Sequence, residues 1–171
     1  MSLRALDFTP VMNTSEHDLI DSFFVPALEN AINYNRGVGF FSAGWLRITA
    51  AGMATFAQNS GYARWVTSPI LSEQDWEALE LGETARCDEV LRKAILINVD
   101  HLERELQEKT LSALAWLVAD EILAFKLALP RNKLERGDFH DKFGIFTDTE
   151  GHQVSFNGSY NDSIQGTRNY E

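Results

Sequence analysis

Two short runs near the end of the chain, KFGIF and QVSFN, flank TDTEGH, and together they constrain the fold more than any other feature. The residues between them are turn formers, so the two runs read as strands closing into an antiparallel hairpin. Extended chain alternates its side chains between two faces, which puts His140 and Lys142 on one face at the open end of the first strand. The second strand runs out into Gly158-Ser159-Tyr160-Asn161, and the antiparallel return brings that end back beside His140. An imidazole, an ammonium, a hydroxyl and a carboxamide thus converge at one mouth. Such a set can hold a phosphate.

Upstream of the hairpin the hydrophobic period switches repeatedly between helix and strand. LRALDF reads as a leading strand, and SFFVPALENAINYN as helical, with Pro26 in the first turn of a helix or kinking one. RGVGFFS is a strand, SAGWLRITAAGMATFAQNSG a helix, and YARWVTSP a strand stopped by Pro69. Ser72, three residues before Asp75, carries a capping signal for the next helix. A further helix is expected from Thr84 to Leu106, another over KTLSALAWLVADEI, and a strand over LAFKLALP. Helices interleaved with strands, then strands in succession, predict an α/β fold with a mixed sheet flanked by helices on both faces.

Composition sets the outer bounds. The chain has 171 residues and 44% hydrophobic content, which suits one domain, residues 1–171, with a proper core. No apolar run approaches the ~20 residues of a membrane-spanning helix, and MSLRALDFTP does not read as a signal peptide. A cytoplasmic location is the expectation. The single cysteine, Cys87, excludes a thiolate zinc cluster, and the four histidines show no metal-ligand spacing. No phosphate loop of the GxxxxGK[ST] kind is present, so the chain is not itself an ATPase. The formal charge of −10 argues against nonspecific coating of duplex DNA. It leaves room for phosphodiester chemistry in a small basic cleft, for which Arg131, Lys133, Arg136, Lys142 and Arg168 are the nearby cations.

The hairpin resembles the HKD signature of the phospholipase D superfamily: His140-Asp141-Lys142, the strand FGIF, Thr147-Asp148, then Gly158-Ser159-Tyr160-Asn161. FFVPALENAINYNRGVGFFSAGWL, RWVTSPILSEQDWEAL and FHDKFGIFTDTEG resemble the phospholipase D-like domains at the N-terminus of bacterial helicase and restriction-type proteins. The resemblance spans most of the chain, from about Leu6 to Glu171. One departure is visible: the family's acid position holds Thr147, and the acid stands one residue later at Asp148.

The resemblance implies a phospholipase D-like fold and a nuclease-like phosphodiesterase that uses no cofactor and no metal. In it His140 is the nucleophile, Lys142, Ser159 and Asn161 bind phosphate, Lys142 and Asn161 also serve catalysis, and Glu171 is the carboxylate that holds His140. The same chemistry follows from the groups themselves. A neutral imidazole can form a phosphohistidine, its other ring N–H needs an acceptor, and the anionic oxygens need preorganised donors. A second acid must protonate the leaving oxygen; the resemblance implies that it is the histidine of a second His-x-Lys copy, and only one copy is present, so a complete site asks for a homodimer. The expected substrate is nucleic acid, with DNA foremost, and a helicase module in the same or a partner chain is implied; the chain reads as a possible fragment of something longer. The alternative is a catalytically inactive phospholipase D-like module for dimerisation or DNA binding. Trp45, Trp65, Trp76 and Trp116 read as packing residues, and His152 as part of the turn.

Overall fold

The computed structural model describes residues 2–95, 97, 99–129 and 139–167. In chain order its elements are α1 (Val25–Asn30), β1 (Asn33–Val38), α2 (Gly44–Ile48), α3 (Ala50–Gln58), β2 (Tyr62–Thr67) and α4 (Glu73–Ala85), followed by α5 (Glu89–Ala94), α6 (Leu102–Glu108), α7 (Thr110–Ala119), β3 (Leu123–Leu127), β4 (Phe143–Thr147) and β5 (Gln153–Asn157). The strands make one five-stranded mixed sheet in the order β3-β2-β1-β4-β5. β1 pairs parallel with β2, and β2 with β3, while β4 runs antiparallel to both β1 and β5. The chain is therefore α/β, with the crossover helices first and the hairpin last.

One face of the sheet is the core. Tyr34, Arg36 and Val38 of β1, Ala63, Trp65 and Thr67 of β2, and Gly144 and Phe146 of β4 all point into it and are buried. Tyr34 stacks on Phe146 with ring centroids 4.1 Å apart, and Trp65 stacks on Phe125. Each such pair adds about 0.5–1.5 kcal/mol to the ~1.5–3 kcal/mol from burying each ring. The helices pack against this face through Phe23, Phe24, Trp45, Leu79 and the buried residues of α7. Gly82 of α4 lets the chain of α7 come so near that a Cβ there would sit 2.5 Å from the Ala115 carbonyl.

The expected second helical layer is not found among the described residues. The outward strand positions include Asn33, Asn35, Arg64, Lys126, Gln153 and Ser155 beside Tyr62, Val66, Phe143 and Ile145, and none of them is buried in the core. That alternation belongs to a sheet with one covered face. LRALDF is not a strand either: Leu3–Ala5 is a short 3-10 turn capped by the Ser2 hydroxyl. The single helix expected over Thr84–Leu106 is broken into the end of α4, α5 and α6, because Asp88 caps a new start by accepting from Val90 and Leu91 N–H. Pro26 does lie in the first turn of α1, after one wide turn over Ile20–Phe24, and Ser72 caps α4. No described helix is long and apolar enough to cross a membrane.

Candidate active site at the carboxyl end of the first strand

From β1 the chain goes first to β2 on one side, and only later to β4 on the other. The order reverses at β1, and ligands of open α/β sheets bind in the crevice beyond the carboxyl end of such a strand. Gly39 and Phe40 follow β1 at that point. A Cβ on Gly39 would stand 3.2 Å from the His140 Cα and 3.2 Å from its ring Cδ2, so glycine allows these two segments of the chain to close on each other. The buried Ser68 hydroxyl, just past β2, donates to the Gly39 carbonyl at 2.6 Å and fixes the loop from the other side.

Lys142 precedes β4 and is 6% exposed, while His140 is open to solvent. The Lys142 ammonium donates to the His140 carbonyl at 2.8 Å and stands 3.1 Å from both ring nitrogens. Standing at the same distance from both nitrogens, the ammonium lies over the ring rather than on the lone-pair axis of either, so its well-directed bond to His140 is the one to the carbonyl. Asn161 takes the N–H of Phe40 on its Oδ1 at 3.1 Å. A backbone N–H can only donate, which fixes the carboxamide with its oxygen on Phe40 and its NH2 available as a donor. His140 thus lies beside Gly39 and Asn161 on Phe40, with Lys142 on the His140 carbonyl.

Ser159 is exposed, and among the described residues no hydrogen bond ties it to His140 or Lys142. Its place is set by register: Phe143 faces Asn157, and Gly158 N–H donates to the Lys142 carbonyl at 3.1 Å, which sets Ser159 near Asp141 at the mouth. Glu171, expected to hold the His140 ring, lies outside the described residues, as do Arg131, Lys133, Arg136 and Arg168. No carboxylate among the described residues is hydrogen-bonded to that ring.

Asp148 is remote from this mouth. It ends β4, about 20 Å along the strand from Lys142 by the usual rise. There it accepts from Ser2 Oγ, the Leu3, Glu150 and His152 N–H groups, and the His152 ring. Burial raises this carboxyl, but those bonds outweigh it and hold it well below the usual carboxylate range. Asp148 thus joins the N-terminal segment to the hairpin turn, and His152 belongs to that junction.

The sequence reading missed what lies beneath the mouth. Arg36 and Asp162 are both fully buried and joined at 2.7 Å, with Trp65 Nε1 donating to the other carboxylate oxygen at 2.7 Å. The same guanidinium donates to the carbonyls of Gly37 and Phe143 and lies over the rings of Phe156 and Tyr160. Burial lowers the Arg36 pKa, but the Asp162 charge outweighs it and keeps the group firmly cationic. Asp162 N–H also donates to the Phe40 carbonyl, and its own carbonyl accepts from Ser42. Asn161 is thereby held through its neighbour. The signal was present: Arg36 shares the face of Tyr34 and Val38, and a buried arginine needs a carboxylate, which GSYND supplies next to Asn161.

Comparison of the chain with protein-family models, with curated proteins and with solved structures finds no match in any of the three.

Proposed function

We propose that the chain is a phosphodiesterase domain of phospholipase D-like fold that acts on nucleic-acid phosphodiesters through a phosphohistidine on His140. The observation that carries this reading is the Lys142 ammonium 3.1 Å from the His140 ring, which packs on Gly39 next to the Phe40 N–H that fixes the Asn161 NH2 as a donor. An imidazole nitrogen attacks phosphorus, a P–N bond forms, and the bond to the leaving oxygen breaks. Lys142 and Asn161 donate to the anionic oxygens as charge develops on them. The leaving oxygen takes a proton from His140 of a second copy, and water then displaces the imidazole with that same histidine as base. None of these steps calls on a metal ion or cofactor.

A noncatalytic module for dimerisation or nucleic-acid binding is the competing reading. It is favoured by one contact, the 2.8 Å bond from Lys142 to the His140 carbonyl, which engages the ammonium locally. Turnover of an activated aryl phosphodiester in excess chelator separates the two. The catalytic reading requires turnover that disappears in His140→Ala, and a folded protein without turnover supports the module.

A further inference from the structure

The side of the sheet that no described helix covers is unlike the chain as a whole. The chain carries 25 acids against 15 bases, yet none of the outward strand positions is an acid. Arg64 and Lys126 supply positive charge there on β2 and β3, with Asn33 and Asn35 on the adjoining β1 and Gln153, Ser155 and Asn157 at the far side of the sheet on β5. The Arg64 guanidinium is steadied by Asn35 Oδ1 at 2.7 Å. Two aromatic residues stand open on this face, Tyr62 at 40% and Phe143 at 41% exposure. The Phe143 ring lies over Gly37 of the neighbouring strand, whose missing side chain leaves room for it: a Cβ there would be 2.4 Å from a ring carbon.

We infer that this face is a binding platform for single-stranded nucleic acid. A flat sheet with open rings offers π-faces on which unpaired bases stack, while cations take phosphates and amides reach base edges. Duplex DNA offers no free base faces to such rings. Charge complementarity selects the partner, since a polyanion is repelled by the acidic remainder of the molecule and meets acids only at the margin of this face, at Asp7 beside Gln153 and at the exposed Asp141. Tyr62 and Phe143 are two strands apart and four residues apart in register, a span on the order of 16 Å. They therefore take bases separated along the strand. Phe143 also adjoins Lys142, which is buried on the other side of the chain, so a strand crossing the platform reaches the mouth beyond the ends of β1 and β4. The identity of the ligand rests on the nucleic-acid reading above, but the platform does not require catalysis.

The test is fluorescence anisotropy of a labelled oligothymidylate with the His140→Ala protein, which cannot cleave the probe. Tyr62→Ala with Phe143→Ala should weaken binding about tenfold or more. Arg64→Glu with Lys126→Glu should weaken it and flatten its salt dependence. Circular dichroism checks that each variant is folded, and the Arg64 and Lys126 changes stand by themselves if the aromatic pair does not fold. Absence of binding by the His140→Ala and unaltered proteins overturns the platform. So does binding that the face variants leave unchanged, or a face that instead joins two copies of the chain without binding the probe. Turnover of a small aryl phosphodiester by the unaltered protein reports on the His140 mouth separately. Its absence, with face-dependent binding intact, would overturn the catalytic reading and leave the platform standing.

Discussion

The carboxylate of Asp162 meets the guanidinium of Arg36 at 2.7 Å with both side chains sealed from solvent, although 126 positions separate them. The pair ties the segment after the hairpin to the core face of β1. Removing one partner leaves an uncompensated buried charge, at a cost of about 3–5 kcal/mol. Asp162→Ala should lose stability on that scale in urea titration. Arg36→Met with Asp162→Leu should recover most of it, since apolar replacement of both ions is often neutral. A loss under ~1 kcal/mol for Asp162→Ala would contradict this account.

Lys142→Ala should reduce turnover of an aryl phosphodiester about 10²- to 10³-fold, the effect of removing one donor to a developing oxyanion. The loss should appear in kcat, because the charge it meets grows in the transition state. A change confined to KM would make Lys142 a ground-state binder instead.

Asp148 makes stability depend on acid. Its carboxyl is held below the ordinary range in the folded chain, so its stabilisation is complete above the unfolded value, about 3.9. That contribution is lost as pH falls through the lower folded value. Urea midpoints measured from pH 5 downward should therefore fall, and Asp148→Asn should flatten the fall below about pH 4. Parallel curves for the two proteins would show that the junction with Ser2 and His152 contributes nothing.

Gly82→Ala sets two effects against each other. Alanine favours a helix by about 1 kcal/mol over glycine, but here its Cβ would stand 2.5 Å from the Ala115 carbonyl and 2.7 Å from Val118 Cβ. Overpacking against backbone costs about 1–3 kcal/mol, so the variant should be net less stable in thermal melting. A rise in Tm would show that α4 and α7 separate freely.

The hairpin was legible because turn residues and strand alternation are local. β2, β3, β5 and α7 lie where their periods place them, whereas Asn161, past the end of β5, is placed by its bond to Phe40 and by its neighbour Asp162. The N-terminal turn was not legible. Leu3–Ala5 is fixed by Asp148, a contact across the whole chain that no local pattern announces. The break at Asp88 was hidden because the apolar spacing runs through it, although aspartate is itself a capping residue. Arg36 escaped notice because it read as a polar start to an apolar strand, when its charge is neutralised by a residue far along the chain.

The most direct measurement is mass spectrometry of the protein quenched under alkaline conditions during turnover of an aryl phosphodiester in excess chelator. A phosphoryl adduct on His140, lost in His140→Ala, is the result this account predicts. Turnover that survives His140→Ala, or that appears only when divalent metal is added, would contradict it.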